Sequence, residues 1–436
     1  MTVSILATRI RPAAILLTSL FAAVASLASA PAEAQLFGDY SGAVKVGCPY
    51  RYYTSADKNT GFLDENATYG IAQIPLSLPN GASIRIEGRF PQVRYFSLQS
   101  YEGAKAGNYI DAMADARISN TVGLPTNTNV ATLPTGGAPG DAYVLQLRYE
   151  APPADRALRA ANVLYVGTPT TNAGPNRVAK QIIYRIYLPN PGTTSLGNEE
   201  LPKMIYRAAD GSEIDFRNTP DAAKCDRIES LSSLTTTLNP AIFPSRDIRF
   251  QPVAKTADSI LYPNGDSTYL RAAGSKSYGD VIVVRAKRMV TPLLPPLVAP
   301  AEIDVRYLSL CQYELSTSAV VSCFTDDKVV AQQDDYVNYV LSVAEKRPLF
   351  ATEAYGYNWK AWGGTFNELL VLRQILARPG FAGDYINAVN NPEAPVSLTL
   401  GEYAPEISYC DATTFLTAAP SGGAALMAAC KAATSK

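Results

Sequence analysis

RYLSLCQYE, residues 306–314, decides how the chain is read, because residues 94–102 read RYFSLQSYE. Six of the nine positions are identical, at a spacing of 212. The match extends both ways with the order of its blocks kept. Upstream, Ser83-Ile-Arg-Ile86 meets Val281-Ile-Val-Val284. Downstream, Asp115-Ala-Arg-Ile118 meets Asp326-Asp-Lys-Val329, and Tyr143-Val-Leu-Gln-Leu147 meets Tyr339-Val-Leu-Ser-Val343. Last, Ile182-Ile-Tyr-Arg185 meets Leu370-Val-Leu-Arg373. The offset drifts between blocks, as expected where strands must pack and loops may vary. The period, roughly 200 residues, is that of a duplicated domain, not of a solenoid.

Both copies carry period-2 runs separated by turn signals such as Pro79-Asn-Gly81. That pattern predicts an all-β chain of two tandem β-sandwich or jelly-roll-like domains, with short helices in a linker and a C-terminal tail. The expected division is a signal peptide over 1–34, a first sandwich over 35–195, a linker with a short helix over 196–244, a second sandwich over 245–400 and a disulfide-bearing tail over 401–436. Leu98 and Leu310, Leu145 and Leu341, and Ile183 and Val371 should be equivalent and buried, because period-2 alternation fixes the face of each residue. Residues 193–244 should lie outside both cores.

The first 34 residues have a secretory pattern. Arg9 and Arg11 precede an uncharged apolar stretch over 13–30, and Ala32-Glu-Ala34 offers a cleavage site. Export, to the periplasm or the exterior, fits the six cysteines, all beyond that segment. Cys311 and Cys323 are equidistant from Thr317 in a polar turn, which predicts a cross-strand disulfide. Cys410 and Cys430 share the tail, which leaves Cys48 with Cys225. No later stretch is apolar enough to span a bilayer. The formal net charge of −1 gives no electrostatic footprint for nucleic acid.

The chain has no histidine. This removes Ser-His-Asp and Cys-His catalysis and His-ligated metals, and oxidised cysteines remove thiolate chemistry. No metal or cofactor is expected. The polar residues kept in both copies are Arg94 with Arg306, Arg185 with Arg373, Glu102 with Glu314, and Asp115 with Asp326. The arginines are candidates for binding an anionic or sugar ligand on a concave sheet. Glu102, Glu314, Asp115 and Asp326 are candidates for a carboxylate pair of the glycosidase kind. The competing reading is that each arginine pairs with a carboxylate at a sheet edge and holds the fold, since ion-pair networks resemble sites. Trp359 and Trp362 with Tyr355 and Tyr357 form the densest aromatic patch, either a stacking platform for sugar or core. Ser55-Ala-Asp-Lys58 matches S-x-x-K without its companion motifs, and Asp57-Lys-Asn59 begins like a calcium loop but lacks the later ligands, so both are expected to be turns.

The second copy, with YGDVIVVRAK, VRYLSLCQYE, VVSCFTDD, the segment around Trp362-Gly363 and YAPEISYC, resembles a group of exported bacterial proteins of unknown function. The first copy, with RYFSLQSYE and IIYRIYLPNPG, resembles the same group. More distantly, both resemble the domain of unknown function numbered 1214. The resemblance implies a β-sandwich and no activity. The expected role is binding of a carbohydrate or cell-envelope component. The alternative is a His-free secreted hydrolase or lyase that uses paired carboxylates on a polysaccharide.

Overall fold

The computed structural model describes residues 46–57, 59, 61–103, 108–120, 137–169, 178–219, 243–254, 262–292 and 303–434. The expected signal peptide, linker helix and Cys225 lie outside the described residues. The first repeat is β1 (Cys48–Thr54), β2 (Ala67–Gln73), β3 (Ser83–Arg89), β4 (Val93–Tyr101), β5 (Tyr109–Ala114), β6 (Ala142–Arg148), β7 (Val163–Tyr165), β8 (Gln181–Pro189), β9 (Lys203–Arg207) and β10 (Glu213–Asp215). The second is β11 (Gln251–Pro252), β12 (Ser267–Ser275), β13 (Val281–Lys287), β14 (Val305–Glu314), β15 (Val320–Thr325), β16 (Tyr336–Ser342), β17 (Tyr357–Ala361), β18 (Asn367–Ala377) and β19 (Glu406–Cys410).

The duplication extends to the topology, with β10 alone lacking a counterpart among the described strands. Sheet I runs β1-β2-β8-β4-β5 and sheet III runs β11-β12-β18-β14-β15. Sheet II runs β10-β9-β3-β6-β7, and sheet IV, read from its other end, runs β19-β13-β16-β17. Each repeat even carries the same parallel pair, β6 with β7 and β16 with β17. Sheets I and II enclose one apolar core, III and IV another. The fold is therefore an all-β pair of sandwiches.

Leu98 pairs with Met113 and Tyr184, and Leu310 with Phe324 and Leu372, in the same register. The other two expected pairs, Leu145 with Leu341 and Ile183 with Val371, are also buried. Sequence matching slipped in one block. Leu145 lies opposite Ile86 and Leu341 opposite Ile282, whereas the sequence blocks set Ile86 against Val284. The slip is two residues, so every side chain keeps its face and the pattern gives no warning.

Two expectations need correction. β9 and β10 fall in the stretch expected to be linker, yet they extend sheet II, and Met204 and Phe216 are buried in the first core. β19 falls in the expected tail, yet it is a strand of sheet IV, with Ile407 and Tyr409 in the second core. All three strands are short and have no sequence match in the other repeat. α1 (Ile386–Val389) and α2 (Val396–Leu400) precede β19, within the stretch expected to belong to the second sandwich; the tail beyond β19 is helical as expected, with α3 (Ala412–Ala418) and α4 (Gly423–Thr434). Asp411 caps α3 by accepting the Thr414 N–H, and Phe415, Leu426 and Met427 cover the outer face of sheet IV at Val281, Val283 and Val340.

Cys311 is bonded to Cys323 across the β14–β15 ladder, in the register place of Gln99 and Ala112 in the first repeat. Cys410 is bonded to Cys430, which ties β19 to α4. Cys48 is also disulfide-bonded. The Cys311–Cys323 bond closes a short loop already held by its ladder. Replacing both cysteines with alanine is therefore expected to cost less than the ~3 kcal/mol of a 15-residue closure, as read from urea unfolding.

Candidate functional site

The retained arginines meet between the repeats. Along β4, Phe96 and Leu98 turn into the first sandwich, while Tyr95 and Tyr101 turn outward. Outward here is not toward water. The outer faces of sheets I and III pack on each other, with Tyr95, Tyr101, Tyr187, Tyr307 and Ile375 in one apolar cluster. At one end of that layer the repeats exchange charges. Arg94 Nη1 donates to Asp326 Oδ2 at 2.7 Å and to the Arg306 carbonyl at 3.4 Å. Arg306 Nη1 donates to Asp115 Oδ2 at 2.9 Å and to the Arg94 carbonyl at 3.3 Å. The two halves are related by a pseudo-twofold, as in an isologous dimer interface. Burial raises the Asp115 carboxyl above its usual range, and the Arg306 charge opposes the rise.

The second pair of arginines lies deeper in the layer. Asp64, before β2, accepts bonds from Arg373, from the Tyr307 hydroxyl at 3.0 Å and from Ser309 Oγ at 2.8 Å. Its counterpart before β12 is Asn264, which accepts from Gln99 Nε2 at 2.6 Å and the Tyr95 hydroxyl at 3.2 Å. Arg185, the match of Arg373, donates to the Tyr101 hydroxyl and the Tyr262 carbonyl, each at 2.7 Å. Arg94, Arg306, Arg185 and Arg373 are all buried in this layer, so they hold the repeats together; they do not line an open sheet. Asp64 with Cys311 and Cys323 offers three potential ligand atoms within 4.8 Å, but the two sulfurs are joined to each other.

The candidate carboxylates are not one set. Asp115 and Asp326 belong to the charge exchange. Glu314 lies at the far end of β14 from Arg306, roughly 26 Å away at ~3.3 Å per strand residue, and Glu102 follows the matching end of β4. Glu314 does have a carboxylate neighbour that sequence reading missed. Glu368, the first residue of the core-facing row in β18, stands directly opposite Glu314. It is 1% exposed, and its Oε1 has no hydrogen-bond partner among the described residues. Gly363 permits the approach, since a Cβ there would meet Glu368 Oε1 at 2.3 Å. Burial raises the Glu368 carboxyl to about 8, opposed by the Gly363 N–H and Lys276 and reinforced by Glu314. The signal was its parity: Glu368 shares a face with Leu370 and Leu372, where an acid is out of place.

The aromatic patch divides. Tyr357 is buried against Phe415 and donates to the Ala419 carbonyl. Trp359 lies under the Arg347 guanidinium, 4.3 Å from its ring centroid, and donates to Ser342 Oγ. Trp362 is in the second core, and exposed Tyr355 packs edge-on against Phe350. No free stacking platform results among these residues. Ser55 and Asp57 form the expected turn, in which Asp57 accepts from the Thr54 N–H, while Asn59 bonds to both backbone groups of Val320 in the other repeat. Lys58 lies outside the described residues.

An open groove of about 1120 Å³ lies on the second repeat. It is lined by Glu406, Ile407 and Ser408 of β19, by the segment 246–252, by residues 392–397 at the start of α2 and by Lys431 and Thr434 of α4. Its floor is apolar, because Ile248, Phe250 and Ile407 are part of the second core. Its rim carries both signs of charge, with Arg246, Arg249 and Lys431 beside Asp247, Glu393, Glu402 and Glu406. Tyr336 also lines it, but the Arg285 guanidinium covers that ring at 3.6 Å. No helix among the described residues is long and apolar enough to cross a membrane.

No family model matches the chain, and no curated protein matches it. Among solved structures, it is similar to an uncharacterized protein from Burkholderia cenocepacia, at 12% identity and a TM-score of 0.45, over 76% of this chain and 79% of that one. A biofilm associated protein's BSP domain is similar at 9% identity and a TM-score of 0.17, over 77% of this chain and 50% of that one.

Proposed function

We propose that this is an exported binding protein of the cell envelope or exterior, with its ligand held in the groove beside β19. The observation that carries this is the groove itself, whose apolar floor continues the second core and whose rim is charged, the general make-up of a ligand site. The arginines are committed to joining the repeats, so the first repeat serves as the scaffold. A carbohydrate ligand has less support than a polypeptide, because Tyr336 in the groove lies under the Arg285 guanidinium and Trp359 in β17 under that of Arg347. The test is a binding screen of glycans, lipid vesicles and extended peptides on the mature protein and on Ser397→Trp, which places a bulky ring in the groove from an exposed position. The expected result is a ligand bound by the mature protein and lost by the variant. Ligands bound equally by both would overturn the reading.

A second reading rests on Glu368 and Glu314. A carboxyl that is protonated at neutral pH opposite a second carboxyl group is the acid and base arrangement of a His-free hydrolase. Turnover of a polysaccharide that is abolished by Glu368→Gln would favour it over binding.

A further inference from the structure

The two repeats differ at the side of the sandwich where the groove lies. In the first repeat, β9 is not the last strand of its sheet. β10 pairs antiparallel beyond it, Glu213 with Arg207, Ile214 with Tyr206 and Asp215 with Ile205. The chain then turns through residues 216–218 and buries Phe216 completely. The ring presses on the backbone just before β1, where a Cβ on Gly47 would meet Phe216 Cε2 at 1.9 Å. A strand and an aromatic plug thus close the seam between the edges of sheets I and II. In the second repeat β19 holds the place of β9, with β13 inside it as β3 is inside β9. No strand lies beyond β19 among the described residues. The segment leading into β11 corresponds to the one leading into β1, and between it and β19 there is the groove.

We infer that the groove takes an extended polypeptide of another molecule, which adds to the edge of β19 that no described strand covers, as β10 adds to β9. This rests on the groove being the binding site and goes further by naming the ligand's chemistry and its mode. An unpaired strand edge is a template for main-chain hydrogen bonds, and alternate side chains of the added strand point to one face. In β10 and its turn those positions are Ile214 and Phe216, both packed on the first core. The incoming segment accordingly places an apolar residue and, two positions on, an aromatic one over Ile248, Phe250 and Ile407. The positions that alternate with these are acidic, as Glu213 and Asp215 are, where the strand passes Arg246 and Arg249, the Arg249 side chain being 71% exposed; elsewhere the lining includes the acidic Glu393, Glu402 and Glu406. Arg249 pairs with exposed Asp247 at 3.0 Å, a contact that competes weakly in water.

The probe is the chain's own plug, a synthetic peptide of residues 211–218 (GSEIDFRN), added to the mature protein. Saturable binding is expected, with slowed amide exchange confined to 403–410 and to 246–252. The same peptide with serine at the Ile214 and Phe216 positions should not bind. The variant Arg246→Glu/Arg249→Glu, altered only at exposed positions, should bind the parent peptide about tenfold more weakly. Unchanged exchange at 403–410 on peptide binding would overturn strand addition, as would amides there that are already fully protected in the free protein. A glycan or vesicle that is lost in Ser397→Trp without slowing β19 would keep the groove as the site and overturn only the polypeptide. No groove ligand of any class would end both readings.

Discussion

Replacing Arg306 with methionine is expected to destabilise the protein by about 3–5 kcal/mol, the range for breaking one side of a buried ion pair. Arg306 and Asp115 are both 0% exposed at their side chains. Without the guanidinium, Asp115 is left charged in a dry layer between the repeats. Its carboxyl, already raised by burial, then loses the charge that opposed the rise. Its pKa then rises further, so part of the loss should be recovered on acidification, where the group is neutral. The double variant Arg306→Met/Asp115→Leu should recover most of the stability, because an apolar pair of similar volume removes the desolvation penalty along with the attraction. Urea unfolding of the two single variants and the double, as a cycle, measures the coupling. Additive single and double effects would mean that the pair does not hold the repeats together.

The second large effect is a pH dependence. The Glu368 carboxyl is raised to about 8 in the fold, against 4.5 for an ordinary glutamate. Below ~4.5 the group is protonated in both states and costs nothing. Between ~4.5 and about 8 the unfolded chain releases the proton and the folded one keeps it, so stability falls as pH rises. Above about 8 the full penalty is present, roughly 4–5 kcal/mol at ~1.4 kcal/mol for each tenfold change in proton affinity. Glu368→Gln carries a permanent neutral amide in the same shape. It should match the parent near pH 4 and be the more stable protein at pH 9. Melting curves across that range check it. A parent whose stability does not fall relative to the variant would show that Glu368 is ionised in the fold.

The duplication, the shared order of its strands along the chain and the Cys311–Cys323 hairpin were legible because residues 306–314 repeat six of the nine residues at 94–102. The retained arginines and aspartates were also legible as a set. Their partners were not, since Arg94 reaches Asp326 and Arg306 reaches Asp115 across a layer that no single repeat contains. In the structure β4 and β14 are buried along nearly their whole length, as strands covered on both faces are. Strands β9, β10 and β19 escaped because three to five residues give too little periodicity. The groove escaped for a further reason. It is defined by a strand present in one repeat and lacking among the described residues of the other, and sequence matching registers only what both copies share.

The reciprocal Arg94–Arg306 contact has a consequence for how the protein can change. In a dimer of identical chains, every substitution at such an interface occurs twice, and both symmetry-related places must tolerate it. With both halves on one chain, each place varies alone. Asp64 stands where Asn264 stands, one binding an arginine and the other a glutamine and a tyrosine. A disulfide stands in the register place of Gln99 and Ala112. Phe216 fills a seam whose twin holds no such ring among the described residues. Covalent linkage has released the two partners from symmetry, so one can keep the joint rigid while the other specialises.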